Sequence, residues 1–123
     1  MKKKVLLADD SAFMRKLLSD ILIGAGYYAI EEVGNGADAI RRYLEWKPDL
    51  VLMEVVMPEI NGMKVLEEIR AADAEANVIM CSSVSLQEIV TEALRNGARD
   101  YIIKPFSPER LLDAVQICLD KRV

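Results

Sequence analysis

A chain of 123 residues, 52% apolar and 29% charged, has the size and make-up of one soluble globular domain and leaves no room for a second. A net charge of −4 argues against direct nucleic-acid binding, which needs a basic footprint. The absence of histidine removes Ser-His-Asp and Cys-His catalysis, phosphohistidine chemistry on this chain and the usual zinc sites.

Lys2-Lys3-Lys4 opens the chain and reads as a solvated end. The apolar run behind it, Val5 to Ala8, is too short for a secretory core of about 7–15 residues. No stretch approaches the ~18 apolar residues of a membrane span, so a cytoplasmic protein without membrane insertion is expected. Lys4–Ala8 is the first strand. Ser11 caps a helix whose Met14, Leu17, Leu18, Ile21 and Leu22 recur at helical spacing, and Gly24-Ala25-Gly26 ends it. Tyr28–Val33 is a weaker strand. Asn35-Gly36 signals a turn, and the next helix carries Ile40, Tyr43 and Leu44.

Pro48-Asp49 opens a third strand, Leu50–Met53. Met57 to Gly62 is loop, followed by a helix with Val65, Leu66 and Ile69. Asn77–Cys81 is the fourth strand. Ser85 with Glu88 fits a capping box leading into Ile89, Val90, Ala93 and Leu94, and Gly97 suits the left-handed position beyond. Tyr101–Ile103 is the fifth strand. Ser107-Pro108 opens a last helix that buries Leu111, Leu112, Val115, Cys118 and Leu119. Cys81 and Cys118 both fall in apolar segments and read as buried thiols. No segment is left for an output domain, so residues 1–123 form one unit.

Five strands alternating with five helices predict an α/β protein, a parallel sheet covered on both faces. Four polar signals close four of its strands: Asp9-Asp10, Glu54, Ser82-Ser83 and Lys104-Pro105. In an open parallel sheet the carboxyl ends of the strands share one crevice, where ligands bind. Three acids, a hydroxyl and a lysine therefore meet there, which is equipment for a divalent cation and a phosphoryl group.

The motifs LLADDSAFMRKLL, DLVLMEVVMPEINGMKVL, VIMCSS and GARDYIIKPF span nearly the whole chain. Together they resemble the receiver domain of a two-component response regulator, nearest to the single-domain chemotaxis type. The resemblance implies a flavodoxin-like (βα)5 fold with strand order 2-1-3-4-5. It implies that Asp10 holds magnesium directly and Asp9 through water, with Glu54 and the Val56 carbonyl as further ligands. Glu54 matches the phosphoacceptor, which is aspartate in the family. Ser82 matches the switch hydroxyl, and Lys104 the lysine that pairs with phosphoryl oxygens. Pro105 matches the proline after a cis peptide, and Tyr101 the aromatic that swings between outward and inward rotamers. The implied partners are a chemotaxis-type sensor histidine kinase and a flagellar motor switch or other output protein. They would bind a monomer whose output face is the fourth helix, fifth strand and fifth helix.

Plainer roles stay open for several of these residues. One aspartate can simply cap the first helix, Ser83 competes with Ser82, and Tyr101 and Phe13 each suit a packed core as well as an exposed face. Trp46 carries no function. Glu54 places its carboxylate one methylene further out than aspartate would. Without metal it is expected to pair with Lys104, which either disables the acceptor or imitates its modified form in part. Three rival readings share the fold: a receiver severed from a chemotaxis methylesterase, a small phosphate-processing enzyme, and a flavin carrier. The carrier is disfavoured because Asp9-Asp10 would repel an unescorted phosphate.

Overall fold

The computed structural model describes residues 2–27 and 29–120. The elements run β1 (Lys4–Ala8), α1 (Ala12–Gly24), β2 (Ala29–Val33), α2 (Gly36–Trp46), β3 (Leu50–Met53), α3 (Gly62–Ala72), β4 (Val78–Ser82), α4 (Gln87–Arg95), β5 (Asp100–Ile103) and α5 (Pro108–Leu119). Tyr28, expected to begin the second strand, lies outside the described residues. The strands form one sheet in the order β2-β1-β3-β4-β5, every pairing parallel, as anticipated.

The period of two along each strand builds two cores. Val5, Leu7, Leu50, Leu52, Ile79, Cys81 and Ile102 pack under α1 and α5 with Leu18, Leu22, Leu111, Val115 and Cys118. Leu6, Ala8, Val51, Met53, Val78, Met80 and Tyr101 face the other way, toward Tyr43, Leu66, Ile69 and Ala93 of α2, α3 and α4. Each Val, Leu, Ile or Met among them, fully buried, contributes about 1.5–3 kcal/mol. The two cysteines are buried and unbridged, and burial pushes the Cys81 thiol up to about 12. Among the described residues no helix is long and apolar enough to cross a membrane.

Several expectations need correction. Asn35-Gly36 is no free-standing turn: the Asn35 side chain accepts the Asp38 amide and caps α2, which starts at Gly36. The Ser85–Glu88 capping box does not form. α4 starts at Gln87 behind Leu86, with no side-chain cap. Bonds from outside the helix fix that loop instead, because Ser82 Oγ accepts the Val84 amide and the Tyr101 hydroxyl donates to the Val84 carbonyl. β4 runs one residue later than its apolar run suggests, since Ser82 pairs with Ile103. Leu17, Leu44 and Leu94 lie exposed, outside the stripe that meets the sheet. Ser11 and Ser107 cap α1 and α5 as expected, and Gly97 takes a positive φ of 102°.

Gly62 marks the closest approach of two elements. Its amide donates to the Val55 carbonyl at 2.7 Å, and a Cβ there would lie 2.0 Å from the Glu54 carbonyl oxygen. Both partners are backbone and cannot step aside. Gly62→Ala is therefore expected to cost about 3 kcal/mol, the upper end for overpacking. Urea unfolding measures it, and a loss under about 1 kcal/mol would mean that α3 can slide along the sheet.

Candidate functional site

The parallel register aligns the carboxyl ends of the strands. Ala8 pairs with Met53 and Ser82 with Ile103, so the next residues, Asp9, Glu54 and Lys104, emerge along one edge. Backbone bonds continue this alignment. The Glu54 amide donates to the Ala8 carbonyl, and the Lys104 amide to the Ser82 carbonyl, each at 2.9 Å. The Lys104–Pro105 peptide is cis, as expected from the motif.

Lys104 Nζ sits between two carboxylates, 2.8 Å from Asp9 Oδ2 and 2.7 Å from Glu54 Oε1. The remaining oxygens are also bonded. Asp9 Oδ1 accepts the Ser11 amide at 2.9 Å, and Glu54 Oε2 accepts the Val55 and Val56 amides at 2.7 and 3.2 Å. Asp9 is 2% exposed and Glu54 7%, so this is a buried cluster with each charge compensated. Ser82 is wholly buried beside it.

The electrostatics follow from these contacts. Burial pushes the Glu54 carboxyl up, but the Lys104 ammonium, the Ser82 hydroxyl and the Val56 amide outweigh it and hold the carboxyl below its usual value. Burial pulls Lys104 down, and bonds to Asp9 and Glu54 more than reverse that. The pair is therefore ionised at neutral pH. Tyr101 is 6% exposed, and its hydroxyl donates to the Val84 carbonyl at 2.5 Å. Burial raises its phenol. This is the inward placement of the ring.

Not every expected residue joins the cluster. Two of the three expected acids meet, not three: Asp10 is exposed at the start of the loop and Asp9 is the acid turned inward, because neighbouring side chains on a strand point to opposite sides. Val56 is exposed, with its amide on Glu54. Among the described residues no three His, Cys, Asp or Glu side chains are grouped to hold a metal. Phe13 is 77% exposed on α1, not packed. Trp46 lies between Lys4 and Arg42, whose cationic groups stand 5.4 and 5.5 Å from its ring. Arg15, which no motif singled out, donates to the Asp9 carbonyl. Its only signal in the sequence is its place on the first helix, one turn past the Ser11 cap.

A parallel sheet in the order β2-β1-β3-β4-β5 with an acid–lysine cluster at its carboxyl edge points to the receiver class of α/β protein. The comparisons agree. The family model described as the response regulator receiver domain matches residues 5–116. The chemotaxis protein CheY of Bacillus subtilis is 43% identical over 120 residues, covering 98% of this chain and all of that protein. CheY of Thermotoga maritima is 46% identical, covering 94% of this chain and 96% of its own. Among solved structures, the CheX–CheY–BeF3–Mg complex of Borrelia burgdorferi superposes with a TM-score of 0.90 at 31% identity, over 93% of this chain and 87% of that one. The response regulator domain of Thermotoga maritima CheB gives 0.87 at 33% identity over the whole of both chains. The chain belongs to the response regulator receiver domain family, and is CheY-like within it. Magnesium binding and phosphorylation are typical of that family.

Proposed function

We propose that this chain is a cytoplasmic, monomeric chemotaxis receiver, a switch and not an enzyme, in which Glu54 stands at the phosphoacceptor position. In this reading Glu54 partly imitates the phosphorylated aspartate. The observation that supports it is the pairing of Glu54 Oε1 with Lys104 at 2.7 Å while Tyr101 is buried against Val84. A phosphoryl group would place its oxygens against Lys104 and Ser82. Glu54 brings one carboxylate oxygen to Lys104 from one methylene further out. A carboxylate carries about one charge where a phosphoryl group carries about 1.5–2 and three acceptor oxygens, so the imitation is incomplete.

Asp9, Asp10 and Glu54 are hard oxygen donors of the kind magnesium takes, and the Val56 carbonyl is a fourth. They would hold the ion weakly, because Lys104 already compensates Asp9 and Glu54 and the exposed Asp10 is not grouped with them. When bound, the ion supplies positive charge to the acidic pocket. A chemotaxis-type histidine kinase is the input partner and a flagellar motor switch component the output partner, met by α4, β5 and α5.

Binding to that component tests the reading. The wild-type chain is expected to bind about tenfold more tightly than unphosphorylated Glu54→Asp, within the ~1–3 kcal/mol range of ordinary couplings, and more weakly than the same variant phosphorylated. Affinity equal to that of unphosphorylated Glu54→Asp would show that Glu54 only disables the acceptor. A second reading, a receiver detached from a chemotaxis methylesterase, is favoured by the full-length match to the CheB domain. A methylesterase domain encoded directly after residue 123 would decide for it.

A further inference from the structure

Asp9 is held at four points by four parts of the chain. Its amide donates to the Val33 carbonyl at 3.1 Å, its Oδ1 accepts the Ser11 amide at 2.9 Å, and its Oδ2 accepts Lys104 Nζ at 2.8 Å. The fourth contact is from a side chain outside the acid–lysine cluster. Arg15 Nη1 donates to the Asp9 carbonyl at 2.6 Å. Glu32 on the edge strand aims that guanidinium, its Oε1 accepting from Arg15 Nε at 3.0 Å. The guanidinium also lies close to the turn before α2, since a Cβ at Gly34 would stand in ordinary contact, 3.4 Å from Arg15 Nη1.

The bond matters for more than Asp9. A peptide unit is planar, so fixing the Asp9 carbonyl fixes the plane that also carries the Asp10 amide. One guanidinium thus sets the direction in which the two acids leave the strand. An Arg15–Glu32 pair alone, with Glu32 half-exposed, would be worth little. Its consequence comes from the inner end, where a charged donor meets a carbonyl and forms a bond roughly twice as strong as a neutral one. Only a planar fork reaches both ends in this geometry; a lysine reaches one.

We propose that Arg15 is a positioning residue for the acidic pocket, holding the Asp9 backbone from the edge-strand side so that its carboxylate stays on Lys104. This role rests on the reading of Asp9, Lys104 and Glu54 as the seat of the switch. It adds the β2 edge, through Glu32, to the parts of the chain that set that seat.

The test reads Lys104 itself. Each lysine's rate of reaction with an amine-acylating reagent at pH 8 is followed by mass spectrometry in the full chain. In the wild type Lys104 should react far more slowly than the exposed Lys64. In Arg15→Ala it should react about fivefold faster than in the wild type, the loosening expected when the ammonium loses one hydrogen bond to a carboxylate. Lys4, held on the Trp46 carbonyl at the opposite end of the sheet, should keep its wild-type rate. Arg15→Lys should fall between, and Glu32→Gln should move Lys104 the same way by about twofold, a variant that keeps the helix intact. An unchanged Lys104 rate in Arg15→Ala and Glu32→Gln, or an equal rise at Lys4, overturns the proposal and leaves the pocket's reading standing. Wild-type Lys104 reacting as fast as Lys64 overturns both.

Discussion

Glu54→Asp is expected to accept phosphate from a small acyl-phosphate donor, with magnesium present, about 100-fold faster than the wild-type chain. Phosphoryl transfer leaves the protein little covalent work; its contribution is position and charge. Lys104 is fixed by Asp9 and by the backbone bond from its amide to Ser82, so the reacting carboxylate cannot carry the pocket with it. An added methylene moves the nucleophile by about 1 Å, and a misplacement of that size costs about two decades. Glu54 is further restrained because both of its oxygens are bonded, Oε1 to Lys104 and Oε2 to two backbone amides. Attack requires breaking at least one of these contacts. An aspartate, one bond shorter, would not span to Lys104 in the same way. The measurement is the initial rate of phosphate incorporation under one donor, for both proteins. Equal rates would show that the pocket accommodates the longer arm, and would remove the argument that Glu54 is held apart from chemistry.

Local patterns in the sequence carried the elements, and the register carried the site. Leu50–Met53 is readable because a buried parallel strand is a short unbroken apolar run. Ser11 and Ser107 are readable because a cap is a bond between near neighbours. The crevice follows once the sheet is known to be parallel, since the residue after each strand must emerge at the same edge; Asp9, Glu54 and Lys104 are placed by that rule. The pairing of Glu54 with Lys104 was also legible, because the added methylene carries the carboxylate toward the place a phosphoryl group would take beside the lysine. What stayed hidden is set by contacts distant in sequence. α4 starts behind Leu86, after a loop whose Val84 carbonyl accepts from the distant Tyr101, and the cap that Ser85 offers locally is not used. Asp10 turns outward because Asp9 takes the inward direction, a choice that two identical residues cannot signal. Arg15 reads as one more cation on an amphipathic helix, and only the fold shows it against the Asp9 carbonyl.

Lys104→Met is expected to cost about 3–5 kcal/mol at pH 7, the loss seen when one partner of a buried ion pair is removed. The side chains of Lys104, Asp9 and Glu54 are only 13%, 3% and 8% exposed, which separates this cluster from surface pairs worth about 1 kcal/mol or less. The pH dependence distinguishes a lost charge from lost packing. In the wild type Glu54 titrates below its ordinary 4.5, so its contribution is present above that value and is lost as pH falls through the lowered folded value. Lys104 titrates above its ordinary 10.5, so its contribution is present below that value and is lost as pH rises through the raised one. Between the two the wild type should show no slope from Glu54 or Lys104. In Lys104→Met the ammonium is gone, burial dominates at Glu54, and its folded pKa rises above the unfolded one. The sign then reverses: the variant should regain stability on acidification from pH 7 to 5 while the wild type does not. Adding Glu54→Gln should recover about half of the loss, because one buried charge is removed with its cost. Urea unfolding of the three proteins at both pH values reads these differences. A loss below about 1 kcal/mol with no change of slope would mean that solvent reaches the pocket, and that the Glu54–Lys104 contact is too weak to bias the Tyr101 face.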